Sequence, residues 1–343
     1  MDKLRFGLVG LNFGRHILNQ IQSGKGGAHF ALAGVCDLDA AKAAEFAAQT
    51  KTRVYRDLTE LLADPTVPAV GLFTPPIGRA ALIRQAIRAG KHVLTTKPFE
   101  LDAAAAAAVL AEARQLGRAV HLNSPAPTLP PDLALIQQWQ QQHQLGRAIG
   151  GRVDVWANYH EQADGRWYDD PARCPVAPIL RLGIYLINDL VALMGAVDAV
   201  QVFHTRVRTG RPTPDNAQLA LRFRNGGLGN IFASFCVSDG DSYRNALTFN
   251  CENGTIYRNV GPVRTADTRA ELSLVQVVDG QRRVTAHACL AEGSGEYQWD
   301  VLARAVRGEA IAGETTAETI VAGVKVLNAM ARAEQSGATE RVA

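Results

Sequence analysis

A glycine-containing turn near the start of the chain has the residue types that bind a dinucleotide. The segment FGLVGLNFGRHIL predicts a strand, a tight turn at Gly10 and the beginning of a helix, whose free N–H groups can hold a pyrophosphate. Asn12 stands where the second glycine of the dinucleotide fingerprint usually lies, and Gly14 comes one residue early for the third, which indicates a shortened turn. A strand-to-helix turn without a ligand is the alternative. The residues expected to face the phosphates are Leu11, Asn12, Phe13 and Gly14.

Two further segments are expected to reach the same cofactor. Asp37 ends the strand-like run AGVCD, where a carboxylate can accept both adenosine ribose hydroxyls and repel a 2′-phosphate, so NAD is favoured over NADP. A helix cap is the alternative role for Asp37, although Asp39 is better placed for it. The turn after the run AVGLF lies at the carboxyl edge of the predicted sheet, where open α/β sheets bind their ligands. This turn consists of Thr74, Pro75 and Pro76.

These residues need a parallel sheet to hold them, and the first third of the chain predicts one. From residue 4 to 119, short β-branched runs alternate with helical stretches, the pattern of a doubly wound Rossmann sheet in an α/β fold. The later part has strand-like runs joined by hairpin turns, which predicts an α+β domain with a large, open, mostly antiparallel sheet. We therefore expect a dinucleotide-binding Rossmann domain over 1–122 and a substrate and oligomerisation domain over 123–343, with a C-terminal helix at about 318–334.

Length and composition limit the class of protein. A chain of 343 residues exceeds what one hydrophobic core usually serves, which agrees with two domains. No apolar run approaches the ~18 residues of a membrane span, the N-terminus lacks the regions of a secretory signal, and the five cysteines form no CxxC pair, so we expect a cytoplasmic protein with reduced thiols. The net charge of +3 comes without a basic block, and the histidines lack ligand spacing. Neither nucleic acid nor membrane nor metal is expected as a partner.

Several segments, taken in order, resemble one known family: GLVGLNFGRHI, VCDLD, FTPP, AGKHVLTTKPF and PILRLGIYLINDLVALMG. They resemble the Gfo/Idh/MocA oxidoreductases, which include glucose-fructose oxidoreductase and inositol dehydrogenase, and AGKHVLTTKP is the most specific of them. The resemblance implies hydride transfer between NAD and a hydroxyl or carbonyl of a sugar, a cyclitol or an acidic sugar derivative. It also implies a homodimer or homotetramer built on the free face of the sheet. A tightly bound cofactor that serves two substrates in turn is a further form of this chemistry.

The resemblance assigns the catalytic roles to a lysine and a tyrosine. Lys97 matches the lysine of the family's Glu-Lys-Pro motif, which lies beside the nicotinamide and the reacting hydroxyl, and an ammonium there can stabilise a developing alkoxide or shuttle its proton. Tyr185 matches the last residue of the family's helix motif, which is usually Asp-x-Gly-x-His and is Asp-x-Gly-x-Tyr in the glucose-fructose oxidoreductase branch. A phenol there can donate and accept a proton. A solvated lysine and a core tyrosine are the alternatives. His92, within the same specific segment, is expected to be structural.

The chain departs from the family's pattern where that pattern places acids. Thr96 replaces the glutamate of the lysine motif, Arg181 replaces the aspartate of the helix motif, and Asn188 stands where many members carry another aspartate. Because arginine stays protonated, Arg181 cannot act as a base. It binds an acidic group of the substrate, or pairs with a structural acid such as Asp189 or Asp170, or marks a site that has lost its redox chemistry. The last reading would make the protein a catalytically silent dinucleotide-binding regulator.

Other residues are candidates because of their position. Asn123 follows the last Rossmann strand and matches an asparagine of the family, which implies a place at the cofactor. Trp167, in GRWYDDP, resembles the family's Trp-Arg-x-Asp-Pro stretch, and its ring can stack on a sugar. Tyr159 and His160 end a predicted strand and are expected to border the pocket. The predicted substrate site consists of Lys97, Trp167, Arg181, Tyr185 and Asn188.

Overall fold

The chain divides into two compact units. The first comprises Met1–Thr128 and Tyr297–Ala317, and the second comprises Leu129–Glu296 and Glu318–Ala343. The structure, a computed structural model, describes residues 2–22, 24–159, 161–208, 210–240, 243–261 and 269–343.

The first unit is built on a parallel sheet. Its strands are β1 (Leu4–Val9), β2 (Phe30–Cys36), β3 (Arg53–Val54), β4 (Ala69–Leu72), β5 (His92–Thr95) and β6 (Val120–His121). They pair in parallel in the order β3-β2-β1-β4-β5-β6, which is the order of a doubly wound dinucleotide-binding sheet. The predicted Rossmann architecture is confirmed.

Helices of the described chain cover both sheets. They are α1 (Leu11–Gln22), α2 (Ala40–Thr50), α3 (Leu58–Ala63), α4 (Arg79–Arg88), α5 (Ala103–Gln115), α6 (Pro131–Gln142), α7 (Ile184–Met194), α8 (Trp299–Val306) and α9 (Ala317–Ser336). One π-helical turn, Ile179–Gly183, precedes α7. Gly90 and Gly117 follow α4 and α5 with φ of +79° and +63°, the left-handed ends that the sequence indicates. None of these helices has the length and apolar character that a membrane crossing requires.

The segment 297–317 joins the first unit through aromatic packing. The Trp299 side chain is 2% exposed, and its ring centroid lies 5.8 Å from that of Phe6 and 5.7 Å from that of Phe30. Its indole N–H donates a hydrogen bond to Gln20 at 2.7 Å. The sequence does not indicate that residues 297–317 pack with the first unit, because the apolar residues of α8 suit the core of either unit.

The second unit is built on a larger sheet. Its strands are β7 (Ala148–Trp156), β8 (Val197–Thr205), β9 (Asn216–Phe223), β10 (Leu228–Ser234), β11 (Arg244–Cys251), β12 (Gly254–Arg258), β13 (Ala270–Val278), β14 (Gln281–Leu290) and β15 (Glu340–Arg341). Their order is β14-β13-β12-β11-β7-β10-β9-β8-β15, and every neighbouring pair is antiparallel except β7 with β10. The open, mostly antiparallel sheet is confirmed.

Helix α7 lies close against one face of this larger sheet. A Cβ on Gly151 of β7 would lie 2.4 Å from the Leu190 side chain of α7, so the glycine allows the close approach of helix and strand. Alternate residues of β9 are buried, as expected for a strand with one covered face. This packing holds α7, with Tyr185 and Asn188, in a defined position within the second unit.

Candidate functional site

The turn between β1 and α1 is a single residue. Gly10 has φ of +85°, and a Cβ there would lie 2.7 Å from the carbonyl oxygen of Phe73, so only glycine fits without a shift of the backbone. A Cβ on Gly14 would be in ordinary contact with Leu8, at 3.4 Å. The shortened turn predicted from the glycine spacing is confirmed. It brings the first N–H groups of α1 to the carboxyl end of β1, where a helix N-terminus favours a phosphate.

The carboxylate of Asp37 connects the end of β2 to the start of α1. Its Oδ2 accepts a hydrogen bond from the Leu11 N–H at 2.7 Å, and its Oδ1 accepts one from the Asp39 N–H at 2.9 Å. Asp39 caps α2 by accepting from the Lys42 N–H at 3.0 Å, as the sequence indicates. Each Asp37 oxygen has a second lone pair, so the carboxylate can hold the turn and still accept a ribose hydroxyl.

Asn12 and Phe13 lie exposed on the first turn of α1. The Asn12 Oδ1 accepts a hydrogen bond from the Lys42 Nζ at 3.0 Å, and the same Nζ lies 3.8 Å from the Asp39 Oδ2. The Phe13 ring centroid is 5.8 Å from that of Phe73. Lys42 of α2 therefore contacts Asn12, which stands where the second glycine of the fingerprint usually lies. The two residues are 30 apart in the chain, and the sequence does not reveal this contact.

The turn after β4 carries a buried hydroxyl. Thr74 Oγ1 has no hydrogen-bond partner among the described residues, while Pro75 is exposed and Pro76 is buried. A buried hydroxyl that the protein leaves without a partner indicates a place for a ligand atom or a water. Together with the N–H groups at the start of α1, this hydroxyl fits the polar groups of a nicotinamide dinucleotide at this edge of the sheet.

Lys97 lies in the loop directly after β5 and is half buried. Arg79, the first residue of α4, is 1% exposed and donates to the Thr96 carbonyl at 2.6 Å and to the Pro98 carbonyl. The same guanidinium donates to the Thr74 carbonyl in the neighbouring turn. The sequence does not reveal Arg79 as part of this region, because an arginine at the start of a helix is normally solvated and nothing local marks this one as buried.

The loop after β6 completes the edge of the sheet. Asn123 is 2% exposed, and its Oδ1 accepts a hydrogen bond from the Thr96 hydroxyl at 3.4 Å. Thr96, in place of the family's glutamate, is therefore a link between the loops that follow β5 and β6. The predicted cofactor residues of the turns after β1, β2, β4, β5 and β6 all lie at the carboxyl edge of this sheet, because neighbouring parallel strands end on the same side.

His92 is part of the framework of the first unit. Burial, with a further contribution from the charge of Arg118, lowers the pKa of His92 to about 4, so its imidazole is neutral at physiological pH. Its Nδ1 accepts a hydrogen bond from the Ala119 N–H at 3.1 Å. This histidine begins β5, at the opposite end of the strand from Lys97.

In the second unit, Arg181 forms an ion pair inside the protein. Its guanidinium donates to both carboxylate oxygens of Glu161, at 2.6 and 2.8 Å, and its side chain is 12% exposed. The sequence suggests Asp189 or Asp170 as structural partners, but the acid is Glu161. Asp189 is bound by Arg258 instead, at 2.8 Å. The pairing depends on how the loop after β7 folds back toward the π-helical turn, which local sequence does not specify.

Three aromatic rings of the described chain surround this guanidinium. The Arg181 Cζ lies 4.2 Å from the ring centroid of Tyr168, 4.8 Å from that of Phe235 and 5.2 Å from that of Tyr159. Burial acts to raise the pKa of Glu161, but the hydrogen bonds and charge of Arg181 outweigh it and hold that pKa below its usual value. The pair is therefore ionised at neutral pH.

The same cluster fastens the loop that carries Trp167. The Trp167 ring centroid lies 4.3 Å from that of Tyr168, and Arg211, 5% exposed, pairs with Asp169 and lies 3.7 Å from Glu161. An open pocket borders the cluster. Its lining includes Tyr159, Arg208, Asp215 and Phe235. His160, predicted beside Tyr159, lies outside the described residues.

The side chains of Tyr185 and Asn188, both on α7, lie in different surroundings. The Tyr185 ring is half buried and lies against Gly295, where a Cβ would be 3.3 Å from the ring carbons. The Asn188 Oδ1 would lie 2.3 Å from a Cβ on Gly323 of α9, so this side chain is directed at the neighbouring helix. The tyrosine stays a candidate for chemistry, whereas the predicted substrate role of Asn188 now competes with a role in helix packing.

A separate cluster lies on the β13–β14 pair. The potential ligand atoms of Glu271, His287 and Cys289 lie within 4.8 Å of one another, and the His287 Nε2 is 3.1 Å from the Glu271 Oε1. The sequence shows no metal spacing here, because these residues meet only through the antiparallel pairing of two strands. The cluster is exposed to half-exposed, and it is distant in sequence from the predicted site.

Known proteins share this architecture. A family described as "Oxidoreductase family, NAD-binding Rossmann fold" matches residues 4–124, and a "GFO/IDH/MocA C-terminal domain" matches residues 133–257. A UDP-N-acetylglucosamine 3-dehydrogenase from Acidithiobacillus ferrooxidans is 28% identical over 242 residues, which are 70% of this chain and 69% of that protein.

Solved structures of the same fold include two dehydrogenases, each in complex with NADH and a second compound. The WlbA dehydrogenase of Bordetella pertussis, in complex with NADH and UDP-GlcNAcA, has a TM-score of 0.71 and 19% identity, with 100% of this chain and 99% of that chain covered. A levoglucosan dehydrogenase in complex with NADH and levoglucosan has a TM-score of 0.78 and 16% identity, with both chains fully covered. At these identities the likeness shows the fold.

Proposed function

Because the chain belongs to the GFO/IDH/MocA oxidoreductase family, we propose that it is an NAD-dependent dehydrogenase of a sugar, a cyclitol or an acidic sugar derivative. The observation that carries the proposal is the carboxyl edge of the parallel sheet, which bears Gly10, Asp37 and Lys97 on the turns after β1, β2 and β5. The relatives named as dehydrogenases of UDP-N-acetylglucosamine and levoglucosan support the substrate class. We also propose that it acts in the cytoplasm as a homodimer or homotetramer.

The residues of the first unit would hold the cofactor in a defined orientation. The N–H groups at the start of α1 would bind the pyrophosphate, and Asp37 would accept the ribose hydroxyls. The negative charge of Asp37 disfavours a 2′-phosphate, which supports NAD over NADP. The orphan hydroxyl of Thr74 and the buried amide of Asn123 would bind polar groups of the same ligand. The bound cofactor supplies the hydride acceptor of the reaction.

Lys97 and Tyr185 would handle the proton of the substrate hydroxyl. The Lys97 ammonium would stabilise the alkoxide that develops during oxidation. Tyr185 would take up the hydroxyl proton as a phenolate and return it as a phenol in the reverse reaction. Arg181 would act on the substrate indirectly, because its guanidinium is bound by Glu161 and its loop contacts hold Trp167. The aromatic face of Trp167 suits the apolar side of a sugar ring.

The test is turnover by the purified protein. It is incubated with NAD or NADH and a panel of polyols, inositols, uronates, nucleotide sugars and their oxidised forms, while absorbance of the reduced cofactor is followed. We expect turnover with one substrate group, and a loss in kcat of about 10²- to 10⁴-fold for Lys97→Met and for Tyr185→Phe with NADH affinity retained. Lys325→Met, at an exposed position of α9, is the matched control. Binding of NADH without turnover of any compound would instead favour the regulator.

A further inference from the structure

Two buried charged side chains of the first unit, Arg79 and Glu100, bind the backbone from the start of α4 to the residues on either side of Lys97. Arg79 is 1% exposed and Glu100 is 2% exposed, although one begins a helix and the other follows a loop. Charged side chains are rarely buried to this extent without a specific partner. Arg79 donates to carbonyls of the turns that carry Thr74 and Lys97, and Glu100 accepts from N–H groups at the start of α4.

Glu100 holds the backbone on both sides of Arg79. Its Oε1 accepts a hydrogen bond from the Gly78 N–H at 3.2 Å, and its Oε2 accepts one from the Ala80 N–H at 2.8 Å. The first N–H groups of a helix have no intrahelical acceptor, and a carboxylate placed there satisfies them and complements the helix dipole. The start of α4, and with it the position of Arg79, is therefore fixed by Glu100.

Arg79 in turn holds the backbone on both sides of Lys97. Its guanidinium donates to the Thr96 carbonyl at 2.6 Å, to the Pro98 carbonyl, and to the Phe99 carbonyl at 3.1 Å. Carbonyls that converge on one guanidinium must turn toward it. This sets the orientation of the peptide groups that flank Lys97, and so the direction in which the Lys97 side chain leaves the backbone.

The same guanidinium reaches a second loop. It donates to the carbonyl of Thr74, the residue whose buried hydroxyl has no partner among the described residues. One planar group with five donors thus joins the turns after β4 and β5, which a lysine ammonium, a single compact point of charge, cannot reproduce.

We propose that Arg79, anchored by Glu100, is the positioning residue of Lys97, and that it fixes the lysine relative to the Thr74 turn for the chemistry of the site. This inference rests on the proposed dehydrogenase function. It also explains how the lysine loop is held although Thr96 replaces the acid of the family motif. The buried acid of this region is Glu100, which acts on the lysine loop through Arg79.

The experiment compares Arg79→Lys with Arg88→Lys on the same helix. Arg79→Lys keeps the positive charge and removes the planar guanidinium with its several N–H donors. Arg88 pairs with Glu112 at 2.5 Å and is largely exposed. The first readout is the pH dependence of Lys97 acetylation in the full chain, measured by peptide mass spectrometry against the exposed Lys51. We expect the Lys97 profile to move toward that of Lys51 in Arg79→Lys and to stay unchanged in Arg88→Lys.

The second readout uses NADH and the best substrate of the panel. We expect Arg79→Lys to lower kcat about tenfold or more while KM for the sugar changes little, because misplacement of a reacting group acts on the chemical step. If Arg79→Lys does not fold, Glu100→Gln serves instead. It leaves the guanidinium in place and removes one acceptor oxygen, so smaller changes of the same kind are expected.

A folded variant that keeps the wild-type Lys97 acetylation profile and the wild-type kcat would overturn the proposal. Acetylation requires neither cofactor nor substrate, so the two proposals fail separately. If the wild type turns over no substrate but Arg79→Lys changes the Lys97 profile, the dehydrogenase function falls and the positioning of Lys97 by Arg79 stands.

Discussion

The guanidinium of Arg181 and the carboxylate of Glu161 face each other with two hydrogen bonds, at 2.6 and 2.8 Å. The family motif carries an aspartate at position 181, so the charge there is inverted in this chain. The acid that balances it lies 20 residues earlier, in the loop that also carries Trp167. The inverted charge therefore stabilises a loop of the predicted substrate site, which argues against the expectation that Arg181 itself binds an acidic group of the substrate.

Removing the acid of this pair is expected to destabilise the second unit. Glu161→Gln leaves the buried Arg181 charge without its counter-ion, and we expect a loss of about 2–4 kcal/mol in the free energy of unfolding, measured by urea denaturation. Adding Arg181→Met to Glu161→Gln should recover part of this loss, because the uncompensated charge is gone. Glu252→Gln, whose partner Arg147 is 79% exposed, is the control and should cost about 0–1 kcal/mol. Equal losses of unfolding free energy in Glu161→Gln and Glu252→Gln would contradict the expectation that burial of the Arg181–Glu161 pair determines the loss.

Alanine variants of Asp37 and Asp39 should distinguish a role in cofactor binding from a role in helix capping. Asp37→Ala removes the acceptor of the Leu11 N–H and of the ribose hydroxyls, so we expect weaker NADH binding and a smaller difference between NADH and NADPH in calorimetric titration. Asp39→Ala removes the cap of α2 and an exposed ion pair with Lys42, at a cost of about 1 kcal/mol in stability, and should keep the discrimination between the cofactors. The assignment of Asp37 fails if both variants discriminate as the wild type does.

The two glycines of the turn should respond differently to alanine. Gly10→Ala forces a side chain into positive φ and against the Phe73 carbonyl, so we expect a loss of about 2 kcal/mol or more and weak NADH binding. Gly14→Ala places a methyl group at ordinary contact distance from Leu8 inside α1, where alanine favours the helix by about 1 kcal/mol. Thermal unfolding of both variants, with NADH titration, checks the difference. A tolerated Gly10→Ala would contradict the geometry of the turn.

His92 should make stability depend on pH in a mildly acidic range. Its pKa is about 4 in the folded protein against an ordinary value of 6.5, so between these values the unfolded chain binds a proton that the folded chain does not. The free energy of unfolding should therefore rise with pH from about 4 to 6.5, by up to about 1.4 kcal/mol per pH unit from this group, and level off above. His92→Gln should remove this part of the slope in urea titrations at several pH values. His16→Gln, at an exposed position, should leave the slope as it is.

Features that depend on chain neighbours could be predicted from the sequence. The glycine at position 10, the cap at Asp39 and the alternation of strands and helices follow from backbone geometry and periodicity within a few residues. Because parallel strands of one sheet end on the same side, their order also places the turns at Asp37, Thr74 and Lys97 along one edge. The resemblance to a family then supplied the chemistry expected of those turns.

Contacts between distant residues could not be predicted in this way. Arg79 meets the Thr96 carbonyl 17 residues away, and Trp299 meets Phe6 across most of the chain. In each case the local sequence is compatible with a solvated arginine or an ordinary core tryptophan, and only packing selects the partner.

The sequence by itself determined the fold class, the position of the glycine turn after β1 and the family, because hydrophobic periodicity, glycine and proline act over short distances along the chain. The tertiary structure decided which charges meet: Arg181 with Glu161, Arg79 with the loop of Lys97, and Glu100 with the start of α4. Buried charges must find partners, and which partners are within reach is set by how helices and loops pack on the sheets.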